Sequence, residues 1–134
     1  MDRITFGELS SLECEYNISL PDEIKEFLCS GNLDLNKRTV HLESGSWKSE
    51  IRVHGLYSTL NGLKSSLDWL SESWWPEGYV AFGYDEGGES FCVCIKPDKL
   101  GQIFYFMSDC IGDDSEDSML FVSNSLSEFI SSLE

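Results

Sequence analysis

Basic residues are scarce in this 134-residue chain, which has nine lysines and arginines against 24 aspartates and glutamates and a formal net charge of −15. A protein that binds nucleic acid or an anionic membrane needs positive charge to meet phosphate groups. The composition therefore predicts no nucleic-acid and no membrane partner, and it favours a cationic protein as the partner.

Histidine is scarcer still, since the chain contains only His41 and His54, both in predicted strands. No nucleophile elbow or catalytic-cysteine signature accompanies them. The acidic run at 109–117 offers oxygen atoms, but it lacks the Asp-x-Asp-x-Asp-Gly spacing of a calcium loop. We predict a protein that is not an enzyme and has no metal or cofactor, and a small hydrolase or metal-binding domain is the alternative.

The chain also lacks a disulfide framework and any long apolar run. Its five cysteines are odd in number and irregular in spacing, which favours reduced thiols. Cys92 and Cys94 share one face of a predicted strand, and no second ligand pair stands near them, so we interpret them as small apolar core residues. With neither a signal peptide nor about 18 consecutive apolar residues, the sequence predicts a cytoplasmic location.

The residues that are present predict one α+β domain over 1–134. It consists of a mostly antiparallel sheet of hairpins with N-terminal, middle and C-terminal helices. Apolar residues at helical spacing predict helices near Phe6 to Leu12, over 21–30, from Leu60 to Leu70 and after a Ser125–Glu128 capping box. Alternating residues predict strands at 38–42, 50–54, 79–84, 91–95, 102–107 and 119–122.

The turn between the predicted strands at 79–84 and 91–95 contains two glycines and three carboxylates. Gly87 and Gly88 can adopt positive φ angles in a tight connection. Asp85, Glu86 and Glu89 surround them, and such crowded carboxylates need solvent or a cationic partner. The turn is therefore predicted to be a contact surface.

Negative charge is concentrated in the second half of the chain. Residues 65–134 hold 14 acids and only the bases Lys96 and Lys99, whereas residues 1–64 hold 10 acids and seven bases. Either this charge serves solubility or it forms a docking surface for a basic protein. For the second case we predict contacts from the turn and the late loop, with an aromatic anchor from Trp47, Trp74 or Trp75. The predicted contact residues are Asp85, Glu86, Glu89, Asp113, Asp114, Glu116, Asp117, Trp47 and Trp74. Burial under the sheet edge is the alternative for these tryptophans, and it is favoured most for Trp75, next to Pro76.

Four segments of the chain follow one another in an order typical of one family. They are LPDEIKEFL at 20–28, WPEGYVAF at 75–82 with Gly87 and Gly88 after it, QIFY at 102–105 and SNSLSEFI at 123–130. Their order and spacing resemble the SUKH superfamily, the Smi/Knr-like domain, over nearly the whole chain. Two departures are Gly31-Asn32, where the family often has Asn-Gly, and the stretch 43–64, which has no counterpart.

The resemblance implies a function in binding. Bacterial members of the family resemble immunity proteins that mask a polymorphic toxin, and many such toxins are nucleases with basic clefts. The expected partner is therefore a cognate toxin protein with a basic cleft that holds phosphate, because an acidic inhibitor complements such a cleft. The alternative is an interaction scaffold, because eukaryotic relatives act as hubs in cell-wall signalling.

Overall fold

The computed structural model describes residues 4–30, 39–44, 47–57, 59–72, 75–85, 87, 89–106 and 119–132. Within these ranges the helices are α1 (Phe6–Tyr16), α2 (Asp22–Ser30), α3 (Leu60–Asp68) and α4 (Leu126–Ser132). The strands are β1 (Thr39–Ser44), β2 (Trp47–Leu56), β3 (Tyr79–Asp85), β4 (Ser90–Cys94), β5 (Ile103–Phe106) and β6 (Met119–Ser123). The α+β fold class predicted from the sequence is confirmed.

The six strands form one antiparallel sheet in chain order, β1-β2-β3-β4-β5-β6. β2 is longer than the strand that follows it in the sheet. Its residues from Val53 onward pair with β3, whereas Trp47 to Arg52 pair with β1. The β1–β2 hairpin therefore projects past the end of β3 and leaves an angle between the two hairpins.

One face of the sheet packs against apolar side chains from α1, α2, α3 and α4 and forms the larger core. Leu9 and Leu12 of α1 and Phe129 of α4 are buried there. The Phe129 ring centroid lies 5.3 Å from that of Phe91 in β4 and 6.1 Å from that of Phe82 in β3. Since an isolated helix of this length is marginal in water, α4 depends on this packing.

The opposite face of the sheet is aromatic. Phe104 lies 5.1 Å from Tyr79 and 5.8 Å from Phe121 between ring centroids, so these rings form a ladder across the sheet. The two bases of the second half lie over this ladder, with Lys96 Nζ 5.0 Å from the Tyr79 ring and Lys99 Nζ 5.9 Å from the Phe104 ring. Both lysines are therefore placed as cation–π partners of the aromatic face.

Helix ends follow capping chemistry, with one difference from the sequence prediction. α1 begins with a capping box, in which Thr5 Oγ1 accepts from the Glu8 amide and Glu8 accepts from the Thr5 amide. Phe6, predicted to lie on the buried face of this helix, is 54% exposed because it occupies the first turn, before the packed stripe begins.

The first turn of α4 has a shared cap. Ser125 Oγ accepts from the Glu128 amide, which is one of the two hydrogen bonds of the predicted capping box. A second carboxylate comes from α2, since Glu23 accepts from both the amide and the hydroxyl of Ser127. A cap at a helix start stabilises it by about 1 kcal/mol. The second and the last helix are therefore joined directly.

Candidate partner-binding surface

Asp85 ends β3 and organises the turn into β4. Its Oδ1 accepts from the amides of Gly87 and Glu89, each at 2.9 Å. Its Oδ2 accepts from the Tyr105 hydroxyl of β5 at 2.5 Å. An aspartate that bonds its own backbone two residues on forms a compact turn, so the side chain fixes the path of the chain here.

These contacts correct the expectation that Asp85 is an exposed charge. The residue is 7% exposed, because the turn supplies its own amide donors and β5 supplies a hydroxyl. Gly87 does not adopt the expected positive φ; among the described glycines only Gly78 and Gly101 do so. Glu89 is half-buried, and Glu86 and Gly88 lie outside the described residues. The contact role predicted for these side chains stays a prediction.

A polar cleft of about 400 Å³ lies in the angle between the two hairpins. Its walls come from three parts of the sheet: β1, the projecting part of β2, and the turn that Asp85 organises. The lining residues are Thr39, Glu50, Ile51, Arg52, Asp85 and Gly87. Glu50 is open to solvent, with 73% of its side chain exposed, and lies 3.7 Å from His41 Nδ1. The cleft therefore has one exposed carboxylate and one buried one.

The structure describes the three predicted aromatic anchors to different extents. Trp75 is 5% exposed, donates from Nε1 to the Tyr79 carbonyl at 2.8 Å and lies 4.9 Å from the Phe106 ring. It is a core residue, as the alternative predicted. Trp47 begins β2 opposite Ser44, and only its backbone position is described. The other predicted contacts, Trp74, Asp113, Asp114, Glu116 and Asp117, lie outside the described residues.

The described thiols include two that are fully buried beneath the aromatic face. Burial raises the pKa of Cys92 well above its ordinary value, and burial also raises the pKa of Cys94. Both are apolar core residues, as the sequence predicted. A thiol whose pKa is raised is a poor nucleophile and a poor metal ligand at neutral pH. In the part of the chain that is described, no three His, Cys, Asp or Glu residues are grouped as a metal site.

A second groove, of about 580 Å³, runs between the end of α1 and the start of β3. The Tyr16 hydroxyl donates to Asp68 at its rim, and this hydrogen bond raises the pKa of Tyr16 to about 12. Gly78, at φ +88°, lies beneath the stem of Lys96. The described lining of the groove includes one acid, Glu77, and one base, Lys96, so it has no dominant charge.

Sequence reasoning missed Tyr105, Glu50 and Arg52. Tyr105 belongs to an alternating strand and looked like an ordinary core aromatic, and only the register Phe91↔Tyr105 places its hydroxyl near Asp85. Glu50 and Arg52 enter the cleft because β2 is longer than β3, a difference in length that alternation alone does not reveal.

No described helix is long and apolar enough to cross a membrane. Comparison with known proteins gives one family: the model of the SMI1 / KNR4 family (SUKH-1) matches residues 3–132. No curated protein and no solved structure matches the chain. The matched region contains every helix and strand of the sheet described above and the turn held by Asp85. The chain belongs to the SMI1 / KNR4 family (SUKH-1).

Proposed function

We propose that this protein is a non-catalytic immunity protein, which binds and neutralises a cognate toxin. The observation that carries the proposal is the family match over residues 3–132, because bacterial members of the family resemble immunity proteins. The match supports binding as the activity, and it leaves the identity of the toxin open. An acidic surface on the second half of the chain favours a basic toxin, such as a nuclease.

The exposure of the acids supports an electrostatic role in association. Among the described acids of residues 65–134, Asp85 is buried and Glu89 is half-buried, whereas the others are open to solvent: Asp68, Glu72, Glu77, Asp98 and Glu128. Exposed charges of one sign contribute little to stability, but they speed the encounter with a partner of the opposite sign. Mutation of such charges is expected to change the association rate and its salt dependence.

The chemistry of the described side chains is compatible with a non-catalytic role. The Cys92 and Cys94 thiols are buried with raised pKa values, and the His41 side chain is half exposed beside Glu50. Masking an active site requires no reacting group from the inhibitor, and a rigid complementary surface is sufficient.

Protection and binding together test the proposal. The toxin domain encoded beside the gene is expressed in cells with and without this protein, and the purified pair is measured by biolayer interferometry at low and high salt. We expect survival only in the presence of this protein, and an association rate that falls as salt is raised. Absence of both binding and protection would show that the proposal is wrong. Capture of several unrelated signalling proteins instead would favour the scaffold.

Charge-neutral variants test the predicted late loop. Two pairs are made, Asp113→Asn with Asp114→Asn and Glu116→Gln with Asp117→Asn, and Asp22→Asn with Glu26→Gln in α2 is the control of equal charge change. We expect each loop pair to slow association about threefold relative to the control, because charge near a partner's basic patch steers encounter. Equal association rates for the loop and control pairs would show that these four residues are not part of the binding surface, without contradicting binding itself.

A further inference from the structure

The sheet ends at β6 with a strand that has no charged residue. Among the described residues β6 pairs only with β5, so its outer backbone amides and carbonyls face away from the sheet. Such an edge can pair with another chain, and proteins commonly prevent this with charged residues or proline. The sequence of β6, MLFVS, contains neither. Only Ser123 of this strand is buried, and Phe121 is 48% exposed, so the edge is open to a partner.

The opposite edge of the sheet is protected by charge. β1 follows directly after Arg38 and contains His41 and Glu43. The His41 side chain is half exposed and lies 3.7 Å from Glu50 of β2. Charged side chains on an edge strand oppose pairing with another chain. The contrast between the two edges indicates that β6 is the edge available for a partner.

The surroundings of β6 differ between the two faces of the sheet. On the aromatic face, the Phe121 ring lies 5.8 Å from the Phe104 ring. On the helix face, a groove of about 460 Å³ lies between β6 and α4. The described residues that line this groove are Val122, Ser123, Ser127, Glu128, Ser131 and Ser132. Because alternate side chains of a strand point to opposite faces, a strand added at this edge has one set beside Phe121 and the other beside Glu128.

We propose that an extended segment of the partner protein pairs with the outer edge of β6 and adds a strand to the sheet. In this mode of recognition, backbone hydrogen bonds supply affinity and alternate side chains supply specificity. The segment alternates basic residues, which complement Glu128, with apolar residues, which pack beside Phe121. A second copy of this chain is a poor occupant, because each copy has a formal net charge of −15 and the copies repel each other. The inference rests on the proposed function only in taking the segment from a toxin.

The test uses synthetic peptides and therefore needs no identified toxin. The full chain, labelled with ¹⁵N, is titrated with a peptide of about seven residues that alternates lysine with valine, which is long enough to span a strand such as β6. We expect saturable shifts of the amides of Met119–Ser123. A peptide with every internal amide N-methylated should bind at least about tenfold more weakly, because it cannot donate to the strand. A peptide with glutamate in place of lysine should bind at least about threefold more weakly, because it repels Glu128.

Two exposed phenylalanines provide a matched pair of variants. Phe121→Lys places a charge at the edge and should raise the dissociation constant of the lysine–valine peptide about tenfold. Phe6→Lys in α1, at a phenylalanine that is 54% exposed, should leave it unchanged. Circular dichroism checks that both variants are folded. Glu128→Gln leaves β6 intact and should weaken binding about threefold, whereas Glu26→Gln on α2 should have no effect.

Three results of the peptide experiments would overturn the inference: no shifts in β6, equal binding of the N-methylated peptide, or equal effects of the two lysine variants. Light scattering tests the competing occupant. A dimer that Phe121→Lys dissociates would show that a second copy of the chain occupies the edge, and it would also overturn the inference.

Hydrogen exchange of the complex with the adjacent toxin separates this inference from the proposed function. A neutralising complex without added protection of the β6 amides would reject the edge and keep the immunity role. Peptide pairing with β6 by a protein that neither binds nor neutralises that toxin would keep the edge as a peptide site and reject the immunity role.

Discussion

The hydroxyl of Tyr105 in β5 donates to the carboxylate of Asp85 at 2.5 Å and links β5 to the turn between β3 and β4. Both groups are buried, at 4% and 7% exposed. The geometry of the turn into β4 is therefore set from inside the fold, which presents the half-buried Glu89 in a fixed position.

Tyr105→Phe should lower the free energy of unfolding by about 2 kcal/mol, because a buried carboxylate loses one of its donors. Chemical denaturation followed by tryptophan fluorescence measures the change. Asp85→Asn should also destabilise the protein, and the double variant should lose less than the sum of the two single losses, since both changes break the same contact. Strictly additive losses would show that the hydrogen bond contributes nothing.

Ser66 of α3 supports a second prediction. The residue is 1% exposed, and its hydroxyl oxygen lies 2.9 Å from the Ala81 carbonyl of β3 and 3.0 Å from the Leu63 carbonyl. Ser66→Ala should cost about 1 to 2 kcal/mol, because the buried Ala81 carbonyl loses a donor. Ser65→Ala is the matched control, because Ser65 is exposed and its hydroxyl donates to the Asn61 carbonyl on its own helix. Equal unfolding free energies for both variants would contradict the role of Ser66.

The pair Gly78 and Gly101 separates backbone strain from steric conflict, since both glycines have φ +88°. A Cβ at Gly101 meets nothing within 4 Å, whereas one at Gly78 would lie 2.4 Å from Lys96 Cγ. Gly101→Ala should cost about 1 kcal/mol from the left-handed conformation alone. Gly78→Ala should cost about 2 kcal/mol or more, because it also displaces Lys96 from the Tyr79 ring. Thermal unfolding measures both changes, and an equal loss would exclude the steric part.

The raised pKa of Tyr16 predicts that the folded protein loses stability at alkaline pH. Its pKa is raised from 10.0 to about 12, first by the hydrogen bond to Asp68 and then by burial and nearby negative charge. The folded state thus favours the protonated phenol, so this stabilisation is present below pH 10 and is lost as the pH rises through about 12. Phenolate absorbance, compared between the wild-type protein and Tyr16→Phe, should assign the late titration to this residue. Loss of a phenol that titrates near 10 would contradict the assignment.

Local patterns in the sequence were sufficient for most of the architecture. The stripe of Ile24, Phe27 and Leu28 in α2 is buried, and the alternating residues of β3 and β4 pair as a hairpin. These predictions succeed because helical and strand periodicity each determine which side chains face the core. The resemblance to the family, which rested on the order of several short segments, is confirmed by the family match over residues 3–132.

The candidate site was harder to predict, because its residues come together through register and strand length. Asp85 reads as an exposed acid in a glycine-rich turn, and its burial depends on Tyr105, 20 residues further along the chain. Glu50 reads as one polar position of an alternating strand, and its place in the cleft depends on where β3 ends. A local sequence pattern does not reveal either the burial of Asp85 or the position of Glu50, because both follow from the pairing of distant strands.

The cap that Glu23 provides for Ser127 spans 104 residues of sequence. During synthesis, α2 leaves the ribosome long before α4, which it caps. The part of the core that α4 covers therefore stays exposed until α4 has been synthesised. Closing so long a loop carries an entropic cost that only the complete set of packing contacts offsets. Docking of α4 is therefore expected to be a late event in folding. Because α2 caps α4, we expect the two helices to unfold together.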